Sequence, residues 1–224
     1  MGTQEVRPAF YALRPGGWRD YVTLLHPPYT LWHLSYVAVG AALAPRFHLD
    51  RMLWGIASFF LAMGIAAHAL DELNGRPLRT RIPSPVLVAI AALGLAGGVA
   101  IGVGAAAAWG WWLLAFVAVG AILVPAYNLE LAFHTDVGFA VAWGAFPALT
   151  GYFVEAQTIR LEAVAAAVYA LALSLAQRAL STPVRAARRS RGTMEGTAPL
   201  ERALRLLTWA SVAVAVALVA ARLR

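Results

Sequence analysis

The chain has 224 residues, 61% of them apolar and 13% charged. Soluble domains run at about 45–50% apolar and about 25% charged, so the composition excludes a water-soluble globular domain and marks an integral membrane protein. The net charge of +7 is carried by 18 basic residues, all arginine, and reads as loops facing anionic lipid rather than as a nucleic-acid surface. Without cysteine there is neither a disulfide nor a cysteine–zinc site, and without lysine there is no Schiff-base chemistry.

Residues 1–28 form a basic interfacial segment with Arg7, Arg14 and Arg19, and with Tyr11, Trp18 and Tyr21 suited to a membrane surface. It has no leading apolar core, so no signal peptide is expected. One transmembrane domain over 29–221 follows. Its apolar runs predict an all-α helical bundle of seven spans, at about 29–45, 52–70, 86–105, 109–126, 137–154, 163–180 and 204–221. Pro125 is expected to end the fourth. Thr182 as N-cap and Pro183 in the first turn predict a separate short basic helix with Arg185, Arg188, Arg189 and Arg191. It belongs to a cytoplasmic loop over 181–199. Arginine crowds the loops on one side, which predicts a cytoplasmic N-terminus in the cell (inner) membrane.

Two polar clusters interrupt the apolar runs. His68, Asp71 and Glu72 end the second span at i, i+3, i+4 spacing, which predicts one shared helix face. Acids at that depth are costly and are usually kept for a function. Arg76, Arg79 and Arg81 follow as an anion clamp, since guanidinium matches phosphate oxygens. The second cluster is Tyr127, Asn128, Glu130, His134 and Asp136, with Glu130 and His134 also at i, i+4. Asp136 joins His134 only if the helix breaks between them. Carboxylates with an asparagine suit Mg²⁺, and added imidazoles suit another divalent metal equally well. The metal candidates are Asp71, Glu72, His68, Glu130 and His134. Tyr29, Trp32, Tyr127 and Trp143 are candidates to line an apolar tunnel. Each has a plainer reading: the acids pair with nearby arginines, the arginines anchor loops, and the aromatics anchor the interface. His26, His33 and His48 read first as packing residues.

A family resemblance rests on these motifs. His26-Pro27-Pro28-Tyr29-Thr30-Leu31-Trp32 resembles the first-helix opening of the UbiA superfamily of intramembrane prenyltransferases. The stretch from His68 to Ser84, ending Arg81-Ile82-Pro83-Ser84, resembles that family's first Asp-rich motif and its tail. Residues 127–152 are similar to its fifth-helix region. The resemblance implies Mg²⁺ on a prenyl diphosphate, with His68, Asp71 and Glu72 or Asn74 near the motif's positions. The second Asp-rich motif is missing: no acid occurs between Glu162 and Glu195, and Gln177 to Arg185 stands in its place. The family usually has nine spans.

The expected function is a divergent prenyltransferase or related lyase acting on an isoprenoid diphosphate or other lipid-tail substrate. Asp71, Glu72, His68, Glu130, His134 and Asp136 are its catalytic candidates. Arg76, Arg79, Arg81, Asn128, Tyr127, Trp32 and Tyr29 are its substrate contacts. The expected partners are membrane lipids and a hydrophobic small molecule, not nucleic acid. Two other readings stand beside it. One is an intramembrane metalloenzyme acting on a lipid through the His, Glu and Asp side chains. The other is a non-catalytic protein binding a quinone, a carotenoid or a membrane partner.

Overall fold

The computed structural model describes residues 7–132, 134–190 and 196–224. Among these, all regular structure is helical. Short α1 (Trp18–Leu24) leads into α2 (Pro27–Leu43). Then come α3 (Leu49–Leu73), α4 (Ser84–Trp109), α5 (Leu113–Asn128), α6 (Asp136–Ala156), α7 (Leu161–Arg189) and α8 (Thr197–Arg222). The chain runs up and down, so loops collect at two ends. Residues 7–26, 74–83 and 129–135 share the proximal end; residues 44–48, 110–112 and 157–160 share the distal end.

Five helices (α3, α4, α6, α7 and α8) are long and apolar enough to cross a bilayer. The other two of the expected seven are short, with 17 residues in α2 and 16 in α5. At about 1.5 Å per residue they reach roughly 25 Å, less than the ~30 Å of a hydrocarbon core. The expected seven full crossings therefore appear as five long helices and two short ones. Helix α2 is the hub, buried at every residue from Ser35 to Ala42. Its Trp32 and Tyr36 pack with Ala148 of α6, Ala166 and Ala170 of α7, and Leu204 and Ala215 of α8.

Contact between α2 and α6 is backbone on backbone. A Cβ on Gly40 would stand 2.0 Å from the Ala148 carbonyl oxygen, and one on Gly151 would stand 2.1 Å from that of Val37. Small residues at a membrane helix crossing let the chains approach this closely. Helices α3 and α6 each contain a wider π-helical stretch, Phe60–Ala67 and Val141–Ala145. The two stretches meet: Met63, Ala66 and Ala67 pack with Ala142, Trp143 and Tyr127.

Several expected boundaries move. No break occurs at Pro183; α7 runs through it to Arg189, so the separate basic helix is the end of α7. Proline in a helix interior removes one backbone bond, and the packing of Ser181 and Val184, both buried, carries the helix across it. Arg191 lies outside the described residues. Pro125 likewise sits inside α5, where Leu129 N–H still donates to the Pro125 carbonyl at 3.0 Å. The last helix starts at Thr197 rather than near 204.

Gly151→Val should lower thermal stability in detergent by about 1–3 kcal/mol or more, the usual range for overpacking. Gly104→Val, with open space around its Cβ position, should cost far less. Comparable losses for both would refute the backbone-contact account.

Candidate functional site

Glu72 is 0% exposed. Its Oε1 accepts from Thr80 N–H at 2.8 Å and Thr80 O–H at 2.9 Å, and its Oε2 from Leu78 N–H at 2.9 Å. Both oxygens thus fold the 74–83 loop back onto the end of α3. Asp71 and Glu72 are neighbours in sequence, so a helix sets them about 100° apart. The expected shared face therefore divides: Glu72 turns to the loop and Asp71 to the bundle. Arg76, at φ 53°, donates to the Ile82 carbonyl at 2.6 Å and to Ser84 Oγ at 2.7 Å. Arg79 and Arg81 are exposed. The Arg81 N–H donates to buried Asp20 at 2.9 Å, tying this loop to α1.

The N-terminal segment closes over the proximal end. Leu13 N–H donates to Thr23 Oγ1 at 3.0 Å, and the Arg205 guanidinium lies 4.7 Å from the Phe10 ring centre. Arg188 donates to the Arg7 carbonyl at 2.8 Å while also pairing with Glu201. Beneath this cover packs a cluster of aromatic and titratable groups. The Tyr11 hydroxyl is 2.7 Å from His26 Nδ1, and the Tyr11 ring packs edge-on against Tyr29 at 5.6 Å. The His26 and His68 rings stack at 4.1 Å, 10° from parallel. His68 Nδ1 is 3.0 Å from the Gly64 carbonyl. A carbonyl only accepts, so this nitrogen carries the proton and Nε2 of the neutral ring keeps its lone pair. Whichever nitrogen of His26 is protonated, its buried Nε2 has no partner.

Asp71 lies within electrostatic reach of Arg185, Glu72, His134 and Glu130. Arg185 in turn senses Arg178, Tyr29, Asp71 and Tyr11. Among the described residues no ion pair joins Asp71 to Arg185. Burial, reinforced by His68 and Arg185, holds the His26 imidazole well below its usual 6.5. Burial, with Tyr29 beside it, pushes the Tyr11 phenol well above 10.0. Both groups are therefore neutral near pH 7.

The second polar cluster adjoins this one. Glu130 is not on a helix: the helix has ended at Asn128 and Glu130 takes φ 54°. That turn still brings Glu130 Oε1 to 3.7 Å from His134 Nε2, with the Glu130 side chain 59% exposed. His134 stacks on Tyr127 at 4.7 Å, and its Nδ1 is 3.1 Å from the Tyr127 carbonyl. The chain does break before Asp136, yet Asp136 pairs with Arg178 at 2.7 Å instead of His134. Asn128 donates to the Val124 carbonyl at 2.7 Å, and Asn74 Nδ2 reaches the Asn128 carbonyl at 3.5 Å. Tyr127 is buried with its hydroxyl unpartnered. Trp32 is 0% exposed within the α2 core, whereas Tyr29 borders the proximal cluster.

The sequence reading took Arg185 first as part of a lipid-facing surface helix, Tyr11 as an interface residue and His26 as a packing residue. One signal was present: Arg178 and Arg185 are seven residues apart, two turns along one helix face. Among the described residues no three His, Cys, Asp or Glu side chains group in a way that could hold a metal ion. With both Glu72 oxygens bonded to the loop, the expected metal set does not converge, and no chemical step is derived through a metal. Comparison with protein-family models, characterised proteins and solved structures returned no match to this chain.

A half-open apolar cleft lies near this proximal cluster, between α3, α4, α5 and α6. Its only side-chain hydroxyls, on Ser58 and Thr150, are bonded to the Gly98 and Phe146 carbonyls. Met63, Val124, Ala142 and Trp143 line the cleft and also pack on Tyr127. One layer of side chains therefore separates the cleft from the proximal cluster.

Glu72→Ala should destabilise the protein by about 3 kcal/mol, because charged-group hydrogen bonds are lost and buried donors are stranded. Trypsin cleavage after Arg79 or Arg81 should accelerate in parallel; unchanged proteolysis would contradict the clamp. His26 supplies a pH prediction. Its folded-state pKa is depressed, so the unfolded chain binds the extra proton. Stability should fall as pH drops below about 6.5, the ordinary histidine value. The fall should be shallower in His26→Asn, as read from melting temperatures between pH 7.5 and 5.

Proposed function

We propose that this protein is a membrane-embedded transferase, or related lyase, of UbiA-like type, acting on an isoprenoid diphosphate or another lipid with an anionic head. The observation that carries the reading is this proximal cluster. Asp71, Arg185, His68 and His26 gather at one end of the bundle, one side-chain layer from an apolar cleft. Head and tail of such a lipid would find matching surroundings side by side.

Breaking an allylic carbon–oxygen bond sends negative charge onto the departing diphosphate. Fixed positive charge placed there lowers the barrier. In this reading Arg185, backed by Arg178, supplies it from the stretch where the family's second acidic motif would lie. The acceptor's proton goes to Asp71 or to His68 Nε2. In this reading the arginine bias favours a cytoplasmic proximal end, and the short α2 and α5 would cross where the bilayer thins locally. The aromatic cluster also suits a quinone or carotenoid held without turnover.

The test is thermal stability in mild detergent with geranylgeranyl diphosphate, with and without Mg²⁺. The wild type should be stabilised. Arg185→Gln should weaken apparent affinity by about 10- to 100-fold, the loss expected for a charge-assisted contact. Asp71→Asn should bind but not turn over. No shift in the wild type would end the diphosphate reading and favour the quinone or carotenoid one.

A further inference from the structure

The distal end carries a second polar site that the proposed chemistry does not use. It is lined by Arg46, His48, Arg51, Glu155, Gln157 and Arg160. Its one lining carboxylate is engaged through one oxygen, Oε2, while its buried Oε1 has no partner. Glu155 is 4% exposed, and its Oε2 accepts from the His48 backbone N–H at 2.9 Å and lies 2.8 Å from His48 Nδ1. The three arginines are not paired with carboxylates among the described residues. Arg46 and Arg160 are exposed. The Arg51 guanidinium lies 5.5 Å from the Trp109 ring centre.

Trp109 is where this site meets the apolar cleft, since it lines both. A ligand seated here would therefore find three guanidinium groups continuous with an apolar slot. An arginine fork matches phosphate oxygens, and a cation near a membrane surface attracts anionic headgroups. A small anion would use only the first half of this arrangement. A phospholipid uses both.

The geometry points to a distal binding site for an anionic phospholipid, its phosphate on Arg46, Arg51 and Arg160 and one acyl chain in the cleft past Trp109. This site needs neither Asp71 nor Arg185, so it stands or falls apart from the proposed transferase chemistry. It does share the cleft with the proposed isoprenoid tail, and the two ligands would exclude each other.

Phosphatidylglycerol with brominated acyl chains tests the proposal. Bromine quenches tryptophan at contact, and Trp109 lies at the junction. The full chain, delipidated in detergent, should show a quenched component that is lost in Trp109→Phe. Phosphatidylcholine with the same brominated chains should require several-fold higher concentration. The Arg46→Gln/Arg160→Gln variant replaces two exposed side chains that make no fold contact described above. It should erase the headgroup preference, weakening phosphatidylglycerol by about fivefold per arginine. Equal quenching by both lipids, or a preference surviving in a double variant whose melting temperature matches wild type, would overturn the site.

Discussion

The bundle depends on two helices touching through their backbones. Where α2 crosses α6, glycine at 40 and 151 lets main-chain atoms meet with no side chain between them. Lipid tails are as apolar as leucine, so burial alone gives such helices little reason to associate, and close van der Waals contact supplies it. The consequence is positional. Helix α2 becomes the buried axis, and α7 and α8 close over its other side through Tyr36, Ala170 and Leu204. His26 caps α2, and Phe139 of α6 packs on Tyr127 with the Arg178 guanidinium 5.3 Å from its ring centre, so this one crossing also helps position the proximal cluster.

Charge at the proximal end divides into groups that hold structure and groups left over. Glu72 and Asp20 are buried acids whose oxygens are taken up by loop N–H groups and a hydroxyl. Buried carboxylates persist when satisfied in this way. Arg188 is similarly engaged, by Glu201 and the Arg7 carbonyl. What remains is Asp71, Arg185, the unpartnered Nε2 of His26 and the free face of His68. Groups at this depth without internal partners are the ones that can respond to a ligand. The two π-helical stretches lie behind them, and such wide turns are frequent at functional sites.

Much of the fold was legible from hydropathy. Composition alone marks the membrane, and the apolar runs locate all seven long or medium helices because bilayer thickness leaves few other options. The proximal end was legible as a place, since polar residues at His68–Glu72 and Tyr127–Asp136 bound the same loops. Which residues act there was less so. Spacing suggested that Asp71 and Glu72 work together, but adjacent helical residues diverge, and the demand of loop donors at Thr80 and Leu78 appears only in three dimensions. Pro183 read as a start because proline is common in first turns; tertiary packing carried α7 straight through it. The inward position of Arg185, near Asp71 and Tyr29, was hidden by that same error, since a detached surface helix would have carried it away from them. Among family models, characterised proteins and solved structures nothing matches, so the UbiA resemblance remains one of short motifs.

The seam between the two ends of the chain has a consequence for assembly. Residues Arg7 and Phe10 are held by Arg188 and Arg205. A ribosome makes the first pair long before the second. During synthesis the early segment must wait at the membrane surface, its partners still unmade, while five or six helices insert. The contacts that cover the proximal end therefore form only once α7 and α8 are in place.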